Sequence, residues 1–356
     1  MKAKLLFVLF IALAGCIPNE SLEDVALVEL VGYDPAEEDE IRGTIAIRQF
    51  GSEETKLVNE KYLSATEGTI EEIHRQIESK SSKPLRIGKL TMVFYNKALA
   101  EKGLTDSLDF IAREPKIGRD VHVAIVDGST SELMQGQYSE TESTGQYLLG
   151  MIKQNTQQYL PKSNLQIFLY AHYAKGKDPV LPIFRMDGKE AIISGFALLR
   201  EGKMISSLTV DQTFIYKMLS ERIDKGVRGI DFQGREIVMD ELISNVKYEL
   251  AGSNDNPMYT LNIKIKGMIS ETSTLDQTNR QETTTEMEEA FEDHFKYEGE
   301  KLIKDFQELR IDPLGLGEVL NNRRRKVDMN RWKQMYPDVP VKVNVEVSIL
   351  GIGITG

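Results

Sequence analysis

The sequence predicts a mixed α/β protein of the α+β kind, built of consecutive domains that each carry a central β-sheet flanked by helices. Three patterns support this. Strand-like and helix-like segments alternate between Val25 and Tyr173, as expected where helices cover a sheet. Residues 259–266 and 341–349 alternate apolar with polar at period 2, the mark of strands with one buried face. Between them Met287, Phe291, Phe295, Leu302, Phe306 and Leu309 fall near one stripe of a long helix.

Taken in order, Val25 to Val31 is an apolar strand, and Ile41, Ile45 and Ile47 lie in a second after the acidic turn Asp34 to Glu40. The two suggest a hairpin. The run Glu37-Glu38-Asp39-Glu40 is read as a solvated tip and not a cation site. Ile70, Ile73 and Ile77 recur at helical spacing behind Thr69 and Glu72, which form a capping-box pattern. A strand follows from Arg86 to Tyr95, then a helix from Ala98 to Arg113 that stops before Pro115, then a strand from Val121 to Val126 ended by Asp127-Gly128. Helices are predicted for Thr144 to Tyr159 and Asn164 to Tyr173, and the extended Asp178-Pro-Val-Leu-Pro182 marks the way out of the first domain.

Ala191 to Arg200 reads as a strand turning at Glu201-Gly202 into Lys203-Met204-Ile205. Thr209 or Asp211 then caps a helix burying Phe214, Ile215, Met218, Leu219 and Ile223. After the long helix from Thr283 to Leu309, Asp312-Pro-Leu-Gly-Leu-Gly317 breaks the pattern, a short helix spans Asp328 to Met335, and the valine-rich strand closes the fold. These elements divide the chain into a leader at 1–15, a tether at 16–24, and domains at 25–190, 191–275 and 276–356. The last boundary is set by the Ser/Thr/Asn cluster between Ser270 and Asn279.

The leader carries the clearest local chemistry. Lys2 and Lys4 precede an apolar run from Leu5 to Ala14, and Leu13-Ala14-Gly15-Cys16 ends it with the only cysteine of 356 residues. The run is shorter than the roughly 20 residues that span a bilayer and suits a secretion leader. It resembles the bacterial lipobox, in which the cysteine thiol takes a diacylglyceryl group and becomes the first residue of the mature chain. Small side chains at Ala14 and Gly15 let the backbone enter a peptidase cleft. Covalent diacylglycerol and acyl lipid on Cys16 is the only prosthetic group implied, and a single cysteine leaves no intrachain disulfide. Removing Lys2 and Lys4 with the leader takes the formal charge from −11 to −13. Such a body disfavours nucleic acid, and as a whole it is repelled by anionic lipid. Two acyl chains, at about 0.8 kcal/mol per buried CH₂, suffice to hold it at a membrane.

No catalytic constellation emerges. His74, His122, His172 and His294 fall on separate elements without metal-ligand spacing. Ser194-Gly195 and Gly315-Leu-Gly317 match neither a nucleophile elbow nor a phosphate loop, and are read as turns or strand-packing glycines. Arg323, Arg324, Arg325 and Lys326 form the only basic cluster, a candidate interface for an acidic partner or lipid head groups. Trp332, the sole tryptophan, either anchors the last short helix beside Met335 and Tyr336 or serves as an exposed contact in that interface.

Several blocks resemble the Ger(x)C family, the lipoprotein C subunits of germinant receptors in endospore-forming bacteria. They are Thr69-Ile-Glu-Glu-Ile73, Leu108 to Pro115, Asp178-Pro-Val-Leu-Pro182 leading to Gly195-Phe-Ala-Leu198, Asp312-Pro-Leu-Gly-Leu-Gly317, Trp332, Tyr336-Pro-Asp-Val-Pro340, and the valine strand with its terminal Thr355-Gly356. The resemblance implies three mixed α/β domains in a row and a non-enzymatic role in nutrient-triggered spore germination. It also implies a place on the outer face of the spore inner membrane, beside integral-membrane A and B subunits. The competing class is a free-standing solute-binding lipoprotein of a transporter, which calls for two similar lobes; no such duplication is visible in the sequence.

Overall fold

The structure is a computed structural model that describes residues 24–49, 59–271 and 280–352. The first hairpin pairs β1 (Ala26–Pro35) with β2 (Ile41–Gln49), with Val31 opposite Ile45 and Glu38 and Asp39 at positive φ in its tip. β3 (Asn59–Glu67) adds to β2. The sequence pattern passes over it because it is an edge strand with only Ala65 buried and no apolar alternation to read.

Helix α1 (Ile70–Ser79) starts where expected: Thr69 Oγ1 accepts from Glu72 N and donates to Glu72 Oε2, while Ile73 and Ile77 are buried. The strand expected from Arg86 to Tyr95 is two pieces, β4 (Leu85–Arg86) and β5 (Met92–Asn96), split by a turn in which Leu90 N donates to Ile87 O. The helix expected from Ala98 to Arg113 is also two, α2 (Lys97–Lys102) and α3 (Thr105–Arg113). Gly103 at φ 137° breaks it, and Leu104 N leaves the helical ladder for Gly202 O at 2.8 Å. Then come β6 (His122–Val126), α4 (Thr130–Met134), α5 (Thr144–Gln158), α6 (Leu165–Tyr173), β7 (Val180–Asp187), β8 (Glu190–Arg200) and β9 (Lys203–Leu208).

These strands make one sheet in the order β3-β2-β1-β5-β6-β7-β8-β9, with β4 paired to β1. β1, β5, β6 and β7 run parallel, and the outer strands are antiparallel. The domain boundary expected at 190/191 therefore falls inside a hairpin, since Pro182 of β7 pairs with Phe196 of β8. The extended Asp-Pro segment leads into a strand of the first sheet and not out of it.

Thr209 caps α7 (Val210–Ser220) in a reciprocal box with Gln212. The second sheet follows in the order β10 (Ile223–Phe232), β11 (Arg235–Ser253), β12 (Asn256–Glu271) and β13 (Val341–Ile352). Ile223, expected on the helix face, opens β10. β12 and β13 are parallel, joined by a crossover through α8 (Arg280–Glu308), α9 (Leu316–Arg323) and α10 (Met329–Met335). The boundary expected at 275/276 thus divides a single sheet, so the described residues form two sheets and not three domains.

The chain-terminal strand is an edge of that sheet, and α8 covers it. Glu288, Glu292 and Glu300 accept from the backbone N–H groups of Ile349, Val347 and Val343 at 2.8, 2.9 and 3.4 Å. Carboxylates at helical spacing thereby satisfy donors that an open edge would leave unpaired.

One face of the first sheet buries Val31, Ile45, Val93, Val123 and Ile183 beneath helix residues such as Ile73, Ile111 and Phe168. Its other face, with Leu30, Phe94, Phe184 and Phe196, belongs to a core that continues into the second sheet. Helix α7 makes the bridge: Phe214, Ile215, Met218 and Leu219 are buried, and the Phe214 ring lies 6.3 Å from that of Phe295 on α8. Phe295→Ala is expected to cost about 3–5 kcal/mol, read as a lowered urea midpoint by circular dichroism. An unchanged midpoint would show that α8 does not depend on this contact.

Candidate functional site

Two of the sequence blocks, 134 residues apart, meet in space where the two sheets join. Asp178 N donates to Asp312 O at 2.9 Å, and Asp312 N donates to Asp178 Oδ2 at 2.7 Å. The Asp312 carboxylate turns inward, its oxygens accepting from Leu316 N at 2.9 Å and Gly317 N at 2.7 Å. It thereby satisfies the first free donors of α9, as a carboxylate at a helix start does. Gly315 enters that helix in the left-handed region at φ 72°, a conformation that suits glycine.

Tyrosines fasten the loop from outside: Tyr259 OH donates to Leu316 O at 2.7 Å and Tyr216 OH to Pro313 O at 3.2 Å. The Gly176 and Gly317 backbones come so close that a Cβ on Gly176 would sit 2.6 Å from the Gly317 carbonyl carbon, and Glu318 N donates to Gly176 O at 2.9 Å. Tyr170 OH donates to Glu318 Oε1 from α6. Nearby, Arg200 donates to the carbonyls of Leu309 and Arg310, and Lys333 pairs with Glu201 at 3.0 Å. Around this joint lies a groove of about 350 Å³, lined by His172, Lys177, Asp178, Arg200, Lys333 and Tyr336 among others.

Burial pushes the Asp312 carboxyl up to about 7. The amides of Gly317 and Leu316 pull the other way and Asp178 adds to the rise. Burial likewise raises Asp178 and lowers Lys177. Among the described residues no three metal-ligating side chains converge. His74 Nε2 lies 2.8 Å from Tyr33 OH, and burial lowers His122 to about 4. Ser194 Oγ donates to Ile183 O, and a Cβ on Gly195 would press on Leu208 O, so this pair packs strands together.

Leu13, Ala14, Gly15 and Cys16 lie outside the described residues, as do Thr355 and Gly356. The basic cluster is exposed, yet two of its members work for the fold: Arg323 donates to Tyr248 O at 3.0 Å and Arg324 to Gly252 O at 3.2 Å, gripping the β11–β12 hairpin. Trp332 does not share a surface with them. Its ring is 2% exposed, packed over Gly317, edge-on to Tyr259 and tilted against Tyr336. The expectation of an interface that includes Trp332 is corrected accordingly, because an indole enclosed on these sides cannot meet a partner. No local pattern pairs Asp178 with Asp312; the signal in the sequence is an Asp-Pro dipeptide at 178–179 and another at 312–313.

Two unlike sheets that share a core and meet at a buried carboxylate define a two-domain protein of the mixed α/β class. Comparison with known proteins makes this specific. The profile of the spore germination protein N-terminal domain matches residues 19–186, and that of the spore germination B3/GerAC-like C-terminal domain matches residues 194–353. The chain therefore belongs to the GerAC-like family of spore germination proteins, the germinant-receptor C subunits that its sequence blocks resemble. It is 26% identical to the spore germination protein GerQC of Bacillus cereus over the full length of both chains. It is 19% identical to the putative spore germination protein YfkR of Bacillus subtilis (strain 168), over 98% of this chain and 95% of that one. The crystal structure of the GerBC protein shares the fold with a TM-score of 0.60 at 14% identity, covering 90% of this chain and 96% of that one.

The joint yields two tests. An unfolded aspartate titrates near 4, so between about pH 4 and 7 the folded chain holds one proton more at Asp312 than the unfolded chain. Its protonation stabilises the fold fully below that window, and the contribution is lost as pH rises through 7. Urea unfolding should show wild-type stability falling from pH 5 to 7 by up to about 1.4 kcal/mol per pH unit more than Asp312→Asn; equal slopes would remove Asp312 as the titrating group. Gly317→Ala drives a Cβ into the Trp332 indole. A loss of about 1–3 kcal/mol is expected, with a red shift in the emission of the only tryptophan.

Proposed function

We propose that the chain is the lipid-anchored, non-enzymatic C subunit of a spore germinant receptor. In this reading it is held through diacylglycerol and acyl lipid on Cys16 to the outer face of the spore inner membrane, where it assembles with integral-membrane A and B subunits. The observation that carries the reading is the match of both spore germination profiles, in order, over nearly the whole chain. The sequence Leu13-Ala14-Gly15-Cys16 supports the anchor. A non-enzymatic role is supported by the seam itself, whose most perturbed carboxylate has both oxygens engaged by backbone amides. The two sheets differ in strand number and connectivity, unlike the paired lobes of a solute-binding lipoprotein. The exposed Arg325 and Lys326 remain candidates for a partner contact.

Deleting the protein should abolish or slow the nutrient response of spores whose dormancy and heat resistance are otherwise normal. Wild-type germination across nutrients, with no paralogue present, would sink the reading. Cys16→Ala should move the protein from the detergent phase to the aqueous phase of a membrane fractionation, and unchanged partitioning would count against the anchor.

A further inference from the structure

The second sheet has one buried face and one open face. Along β12, Leu261, Ile263, Ile265 and Ile269 are buried in the core shared with α7 and α8. Thr260, Asn262, Lys264, Lys266 and Met268 alternate with them on the other side, exposed or half-buried. An apolar row crosses this open face with one exposed residue from each strand: Val227 of β10, Ile243 of β11, Met268 of β12 and Leu350 of β13. Asp240 pairs with Met268 and Ile243 with Lys266, while Val227 lies in the bulge between the pairs Gly226–Leu242 and Arg228–Met239. Leu350 lies in the bulge between Gly267–Ile349 and Met268–Gly351, and a Cβ on Gly351 would sit 3.4 Å from Met268 Cε. Single exposed apolar residues are ordinary, whereas a row rimmed by charge marks an interaction site.

The charges of this face are sorted along the strands. Towards the β10–β11 turn stand Asp231, Glu236, Asp240 and Glu241, with Arg235 at the turn itself. The Glu236 side chain lies against Gly229 of the neighbouring strand, where a Cβ would collide with its carboxylate. On the other side of the row, towards the β11–β12 turn, Lys247, Lys264, Lys266 and Lys342 outnumber Glu249 and Glu346. Arg222 and Lys225 accompany Asp224 at the β10 flank of that half. At its far end the basic cluster at 323–326 grips the β11–β12 hairpin, and Arg331 pairs with Asp255 at 2.8 Å.

We propose that this open face docks a second copy of the same chain, about a two-fold axis laid along the apolar row. Such an axis turns the strands of the second copy end for end. The acidic end of each copy then lies over the basic half of the other, and the two apolar rows cover each other. An axis along the strands would instead set acid over acid and base over base. Four strands at about 4.8 Å and about a dozen residues at 3.3 Å give a face of roughly 750 Å². Pairing therefore removes on the order of 1,500 Å² from water, the size of a standard specific interface. Docking of this kind goes beyond the receptor reading and needs neither lipid on Cys16 nor the A and B subunits.

The test uses the mature chain from residue 16 with Cys16→Ala, which contains every described residue and carries no lipid. Sedimentation equilibrium should show a reversible dimer in the micromolar range, weakened as salt is raised. Val227→Asp with Leu350→Asp, at positions 53% and 66% exposed, should raise the dissociation constant by on the order of a hundredfold with an unchanged circular dichroism spectrum. Lys247→Glu with Lys266→Glu, and separately Glu236→Lys with Glu241→Lys, should each raise it by on the order of tenfold. An equimolar mixture of these two charge variants should recover a dimer with one copy of each, because each supplies the charge that the other lacks. The charge variants decide the matter by themselves should the aspartates disturb the fold. A chain that stays monomeric, a dimer indifferent to a folded Val227→Asp, Leu350→Asp chain, or charge variants that fail to combine overturns the proposal.

Discussion

Everything above the level of the single sheet depends on the reciprocal pair between Asp178 and Asp312. Each residue lends a backbone group to the other, and one carboxylate continues into the amides that start α9. The entrance to β7 and the exit from α8 are thereby fixed to each other, together with the crossover that delivers β13. A fully buried carboxylate is expensive to desolvate, and the backbone amides that it accepts from offset only part of that cost, so burial still pushes the Asp312 carboxyl up to about 7. Apolar packing around α7 then makes the two sheets share a core.

Polar side chains in both halves are committed to the frame. The Asp312 side chain is committed to backbone amides, Arg323 and Arg324 to a hairpin, and Glu288, Glu292 and Glu300 to the edge of β13.

Secondary structure was legible where one element faces one environment. Helix α1 with its Thr69 cap, α8 with its aromatic stripe and β13 with its alternating valines follow their sequence patterns, since each has one buried and one solvated face. Reading failed where local pattern and tertiary demand diverge. β3 hides because an edge strand has little to bury. β11 hides because bulges between Val238 and Met239 and between Asp240 and Ile243 shift its alternation. The single helix expected up to Arg113 breaks because Leu104 N finds its acceptor on a distant hairpin.

The sequence by itself determined the layer type, most helices, the resemblance to a germination family, and the lipobox-like run that ends at Cys16. These are properties of short stretches, and short stretches carry periodicity, caps and cleavage signals. Only the tertiary structure decided that residues on both sides of 190/191 share one sheet, that those on both sides of 275/276 share another, and that Trp332 is core. It also decided that Asp178 and Asp312 are neighbours. The reason is physical: strand pairing, burial and the clustering of charge depend on contacts between residues tens to more than a hundred positions apart, and no local pattern records which distant segment will supply the partner.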